Sequence, residues 1–166
     1  MRKYIISLSS LVLFFSCIGG KSVPVEFYTL NLKGESATAV KIASVRSSVK
    51  IHQRMNLKNG TRLELREFER WQGTPDRLIE TELKNHFALG GNDLYCELNE
   101  FVFDLESKEA QVSMNFTLSS EDQTKKFKLK SSHEFTAQDG ESLAEAMSLA
   151  VEDLFKQLDK KIIEGK

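Results

Sequence analysis

The chain has 166 residues, with 23 Lys and Arg against 24 Asp and Glu, a formal net charge of −1, and 40% hydrophobic residues. This length suits one domain large enough for a real core. The charge balance excludes nonspecific nucleic-acid binding through a basic surplus.

In chain order, the first element is an export signal. Arg2 and Lys3 form a short basic start, Ile5 to Phe15 is an apolar run broken only by serines, and Ser16 is a small residue before Cys17. The run is too short to persist as a membrane-spanning helix. Phe14-Phe15-Ser16-Cys17 resembles a bacterial lipobox, although Phe14 stands where Leu is usual. Residues 1–16 then form a lipoprotein signal peptide, and Cys17 becomes the acylated first residue of the mature protein, carrying covalent lipid such as palmitate. Residues 17–25 read as a tether, because Ile18-Gly19-Gly20-Lys21-Ser22 is small, polar and flexible. By resemblance to enterobacterial sorting rules, Ile18 is not the Asp that retains lipoproteins in the inner membrane, which implies the periplasmic face of the outer membrane. Cleavage removes two cations and leaves the acids in excess. With Cys17 acylated, Cys96 has no disulfide partner, so stability rests on packing.

Residues 26–166 read as a single domain. Tyr28, Leu30 and Leu32 alternate with other residues, as do Val40 with Ile42 and Leu63 with Leu65, and each set predicts a strand with one apolar face. Leu94, Cys96 and Leu98 share one parity while Phe101, Phe103 and Leu105 share the other, which predicts a bulge near Asn99 and Glu100. Val112 to Leu118 and Phe127 to Phe135 alternate in the same way. Short polar connections at 106–109 and 119–124 predict a three-stranded antiparallel meander.

Two helices are expected. Thr74-Pro75-Asp76 supplies a capping residue, a proline at the first helical position and an early acid; Leu78, Ile79, Leu83 and Phe87 then form a stripe before Gly90-Gly91. The second begins near Asp139 or Ser142, and its stripe runs from Leu143 to Ile162. The strands are polar on one side, so both helices should cover the other. The expected fold is α+β: a two-layer sandwich of a mainly antiparallel sheet with two helices packed on one face.

No catalytic constellation emerges, and the chain reads as a non-enzyme without cofactor. His52, His86 and His133 are scattered and lack partners at metal-ligand spacing. No nucleophile elbow, no Ser-x-x-Lys on an expected helix and no phosphate-binding glycine loop is present.

The conspicuous segment is Leu63 to Asp76, where the only tryptophan, Trp71, sits between a strand and a helix. A tryptophan at such a junction either plugs the end of a core or anchors a partner. The order of features is Glu26-Phe27-Tyr28-Thr29-Leu30 soon after the cysteine, a strand with Val40 and Ile42, Arg54, then Phe68-Glu69-Arg70-Trp71 with Pro75 opening a helix. This order resembles the ABC-type transport auxiliary lipoproteins, the PqiC-like family that accompanies MCE-domain lipid transporters of Gram-negative envelopes. The resemblance implies a non-enzymatic accessory subunit at the outer membrane. Its partners would be an MCE-domain periplasmic protein with its ABC permease and ATPase, and copies arranged in a homo-oligomeric ring would surround the end of the lipid conduit. Tyr28, Arg54, Arg70 and Trp71 are the candidate contacts, each with an equally good structural role. Two alternatives stand beside this: a tethered periplasmic lipid carrier, and a lipoprotein regulator of a cell-wall synthase.

The anchor is testable. Cys17→Ser should leave the protein unprocessed in the inner membrane or released from the outer one, as read by membrane fractionation; normal outer-membrane retention would contradict the assignment.

Overall fold

The computed structural model describes residues 22–48, 52–121 and 123–164. The signal peptide and Cys17 lie outside these residues. The elements in order are β1 (Glu26–Tyr28), β2 (Ser36–Ser47), β3 (Arg54–Asn59), β4 (Arg62–Trp71), α1 (Pro75–His86), β5 (Phe87–Leu89), β6 (Asn92–Asp104), β7 (Glu109–Ser119), β8 (Thr124–Glu134) and α2 (Gly140–Glu164).

Strand β6 is the spine. Its N-terminal half runs parallel to β2, from Val40 opposite Asn92 to Ser47 opposite Leu98, and its C-terminal end runs parallel to β3, with Leu57 opposite Phe103. The other edge of β6 carries β7 and then β8, both antiparallel. β4 folds back on β3, and the short β1 adds parallel to β4. The sheet is therefore curled and mixed, closing half of a barrel. Four of the seven strand pairings among the described residues are parallel.

This corrects the expected mainly antiparallel sheet. The meander is present as β6, β7 and β8, and its register shifts between Leu98 and Glu100, where the change of parity placed a bulge. The antiparallel expectation fails in the first half of the chain. There α1 is a crossover that brings β5 and β6 back alongside β2 in the same direction, as parallel pairing requires. Period-two alternation fixes which face a residue occupies, and it is silent about which strand lies next door.

Both helices cover the concave face, as expected from its polarity. α1 lies on β2 and β5, whereas α2 lies across β7 and β8 and touches β1 and β2. They share one core running from Leu30 to Ile162, in which Leu94, Leu98, Val112, Met114 and Phe116 meet Leu143, Met147, Val151, Leu154 and Phe155. α1 ends at His86, one residue short of the expected stripe. Phe87 is already extended (φ −98°, ψ 142°) yet stays buried as the first residue of β5. Pro75 occupies the first turn as expected, but the Thr74 side chain makes no capping bond; its carbonyl accepts from the Arg77 and Leu78 N–H groups. At α2, Asp139 Oδ1 accepts from the Ser142 N–H at 2.9 Å, so the acid rather than the serine caps the helix.

Hydrogen bonds fasten the coil after β1 to α2. The Asn31 N–H donates to Ser148 Oγ and the Lys33 N–H to Glu152 Oε2, both at 3.1 Å. The hydrogen bond from Lys156 and that from the Lys33 N–H hold the Glu152 carboxyl below its ordinary range. His86 is wedged between Phe87 and Phe155, at ring distances of 4.7 and 5.3 Å, and its Nδ1 lies 3.0 Å from the Gly34 carbonyl oxygen. Cys96 is a buried free thiol that burial pushes up to about 12, so it behaves as a small hydrophobe.

The junction of β5 and β6 depends on glycine: Gly90 and Gly91 both have positive φ, at +113° and +75°. Val40 faces both Leu89 and Asn92, so residues 90 and 91 bulge out against β2. Gly91 has φ +75°, and a Cβ there would overlap the carbonyl of Ala39. Gly91→Ala should therefore cost roughly 2 kcal/mol or more in urea unfolding. Gly73→Ala, whose Cβ would meet nothing closer than 3.7 Å, should stay within about 1 kcal/mol of the parent.

Candidate functional site

Four of the five residues singled out in the sequence come together at the β1, β4 and β3 corner, and the fifth, Cys17, lies outside the described residues. The register places Tyr28 opposite Trp71 and Arg54 opposite Arg70, with Phe27 also opposite Arg70. Registered residues share a sheet face, so the corner presents two rows pointing opposite ways.

The inward row is Tyr28 and Trp71. Trp71 is 1% exposed; its ring stands edge-on to Phe101 at 5.4 Å and stacks with Phe103 at 6.2 Å. Its backbone N–H donates to the Gln53 carbonyl, and the Gln72 N–H donates to the Tyr28 carbonyl at 2.7 Å. These bonds lock the strand end to its neighbours. Of the two roles open to a junction tryptophan, the structure shows the core plug.

Tyr28 closes the same end from the other side. Its ring lies against Gly140 at the start of α2, where any Cβ would overlap the ring. Its hydroxyl donates to Glu26 at 2.5 Å. That hydrogen bond, partial burial and the nearby carboxylates of Glu26, Glu69 and Asp139 push the phenol up to about 12, so it stays neutral and serves as a donor. Beside it Arg66 bridges Glu69 at 3.3 Å and the Gln138 carbonyl at 2.7 Å, tying β4 to the loop before α2.

The outward row is Phe27, Arg70 and Arg54. Arg54 is exposed and makes no ion pair or hydrogen bond among the described residues. Arg70 donates only to the Glu67 backbone carbonyl, at 3.3 Å. Like charges directly opposite one another on paired strands are destabilising, and neither arginine has an ion pair with a carboxylate among the described residues. Phe27 is 61% exposed, and Phe68, Leu63 and Leu65 on β4 are exposed too. The exposure of Leu63 and Leu65 corrects the expectation that their alternation marks a buried face. Neither helix lies over the end of the β3–β4 hairpin, and the inward places there go to Met55 and Leu57. Phe27 and Phe68 were not singled out as contacts in the sequence, although their parity, opposite to that of Tyr28 and Trp71, is visible in it.

The three histidines are not assembled. His86 is buried among aromatic rings, His133 Nδ1 lies 3.1 Å from the neighbouring Glu134 carbonyl, and His52 is exposed. Among the described residues no group of three or more His, Cys, Asp or Glu could hold a metal ion.

No protein-family model matches the chain by sequence, and no curated protein matches it significantly. Solved structures do match its fold. Protein XCC0632 from Xanthomonas campestris, of the DUF330 family, superposes with a TM-score of 0.64 at 15% identity, covering 85% of this chain and 97% of its own. A second crystal structure, of an uncharacterized protein, superposes with a TM-score of 0.67 at 8% identity, covering 84% of this chain and 99% of its own. DUF330 is the PqiC-like family, so the resemblance read from the sequence is met by a likeness of fold.

The two rows predict opposite mutational behaviour. Trp71→Ala should cost about 3–5 kcal/mol in urea unfolding, as expected for an aromatic removed from a packed core. Arg54→Ala should leave stability within ~0.5 kcal/mol or raise it slightly, because it relieves a like-charge pair.

Proposed function

We propose that this chain is an outer-membrane lipoprotein facing the periplasm of a Gram-negative cell, and a non-enzymatic accessory subunit of an MCE-type ABC system that moves phospholipid and maintains the envelope. Its task is to dock the periplasmic lipid conduit at the outer membrane. The observation that carries this reading is the likeness of fold to a DUF330 protein over nearly the whole of both chains. A Cys17 lipobox ahead of the domain supports it.

The physical case is direct. Acyl chains cross the aqueous periplasm only under apolar shielding, since each exposed CH2 costs ~0.8 kcal/mol. A conduit that supplies the shielding must be held against the target bilayer. A lipid-anchored domain on a short leash keeps a docking surface at high effective concentration there. The domain suits a fitting rather than a container, because the space between sheet and helices is occupied by fully buried side chains such as Met114, Phe116, Met147 and Phe155. A carrier would need that space for its cargo.

Affinity purification of the tagged full chain from crosslinked envelopes should enrich an MCE-domain protein with its permease and ATPase, and deleting the chain should alter the distribution of phospholipid between the two membranes. Absence of these partners together with an unchanged distribution would overturn the reading. A stoichiometric lipid found on the delipidated domain by native mass spectrometry would favour the carrier.

A further inference from the structure

We infer that the outward face of β3, β4 and β1 is a second membrane contact: Phe27, Phe68, Leu63 and Leu65 enter the interface of a phospholipid bilayer while Arg54 and Arg70 meet its anionic headgroups. This rests on the reading of Cys17 as a lipid anchor, and it adds to that reading a fixed orientation of the domain on the bilayer.

Three observations converge on this face. The first is where the chain leaves the domain. Ser22 to Val25 lead straight into β1, and at 3.3–3.6 Å per residue the stretch from Cys17 to Val25 reaches at most roughly 30 Å. The anchored corner is therefore the one that β1 occupies, and Val23 and Val25 on the approach are themselves exposed at 57% and 39%. The second is apolar exposure. Phe27 at 61% and Phe68 at 38% lie on the side of Arg70, and Leu63 at 55% and Leu65 at 38%, opposite Lys58 and Asn56, come to the side of Arg54 through the register shift of the β3–β4 pair between Arg54 and Asn56. The other exposed large apolar residues of the strands and helices, Leu89, Tyr95, Leu149 and Ile163, are scattered over β5, β6 and α2. The third is charge. Arg62 pairs with Glu64, Arg66 with Glu69 and Lys58 with Asp104, but Arg54 and Arg70 sit opposite each other and neither has an ion pair with a carboxylate among the described residues. Glu67 is the one acid of β4 without an ion pair among the described residues, and it offsets only one of these two cations.

Aromatic and aliphatic side chains rimmed by arginine are the composition that holds a surface in the headgroup region. Cationic side chains respond to anionic lipid within a Debye length of it. The lysines of β8 offer the contrast. Lys126, Lys128 and Lys130 lie on the far edge of the sheet with no exposed large apolar residue among them, and Lys130 is engaged with Glu100 at 3.4 Å. Charge alone would nominate either edge, whereas exit point, apolar exposure and charge together select the β1 edge.

The test uses the chain from residue 17 onward with Cys17→Ser, so that acylation contributes nothing, and co-sedimentation with vesicles of phosphatidylcholine alone or with 30% phosphatidylglycerol, a composition chosen for the assay on the order of natural anionic content. Binding is expected to the anionic vesicles, at least about fivefold weaker to the neutral ones and weaker again at high salt. Arg54→Gln with Arg70→Gln should abolish the preference for phosphatidylglycerol, Phe27→Ser with Phe68→Ser should weaken binding to both vesicles, and Lys126→Gln with Lys128→Gln should change neither. Circular dichroism and urea melts confirm that each variant folds. No binding at low salt, an equal loss in the β8 variant, or a dimer in solution that buries this face would overturn the inference. Failure of the anchor reading is seen separately, as an unmodified mature N-terminus in mass spectrometry of the full chain.

Discussion

Every other element of this fold takes its place from β6, a 13-residue strand whose two edges are both used along most of its length. One edge is divided between β2 and β3, lying end to end, and the other is given wholly to β7. Such a strand must keep a single face toward the core over its full length, yet its apolar residues change parity midway. The bulge at Asn99 resolves this conflict by inserting one residue against β7, so that Leu94, Cys96 and Leu98 and then Phe101 and Phe103 all point inward. A bulge also bends the strand and increases its twist. The curl of the sheet and the concavity that receives two helices both follow from that bend.

How much of this could be read in the sequence depended on the range of the interaction. The meander, the bulge and the beginning of α2 rest on contacts between residues near one another in the chain, and local alternation, turn residues and a capping acid reveal them. The parallel pairings do not. β2 finds β6 only after β3, β4 and α1 have intervened, and nothing in Val40 or Ile42 names Asn92 and Leu94 as neighbours. The corner at Trp71 was legible in part. A lone tryptophan before a helix marks a special place, but its role as a core plug depends on Phe101 and Phe103, which lie far along the chain. Leu63 and Leu65 show the limit of alternation: it reports that two residues share a face, and burial depends on whether another element arrives to cover that face.

The β8 and β1 edges of the sheet are finished differently. β8 ends one side with Lys126, Lys128 and Lys130 on its solvent face, a charged border that discourages pairing with another sheet. β1 ends another with three residues only, too short to template a long strand, and it exposes Phe27 beside Glu26. An edge protected by brevity, with a single acid, can keep an apolar side chain exposed. That freedom is what allows a hydrophobic surface to persist beside the tether without inviting strand addition.

The like-charge pair of Arg54 and Arg70 violates the rule that residues opposite one another on paired strands should attract or pack. A single carboxylate at either position would remove the repulsion and gain an ion pair, and β4 carries acids at Glu64, Glu67 and Glu69, so the composition of the strand does not forbid one. Where local interactions disfavour an arrangement that the backbone places with a defined register, the compensation has to come from outside the local structure. The inward side of the same corner is fully satisfied, with Trp71 packed, Tyr28 hydrogen-bonded and Arg66 bridged to Glu69 and Gln138. The imbalance is therefore confined to the surface that faces away from the core, where Glu67 is the one acid of β4 outside an ion pair among the described residues.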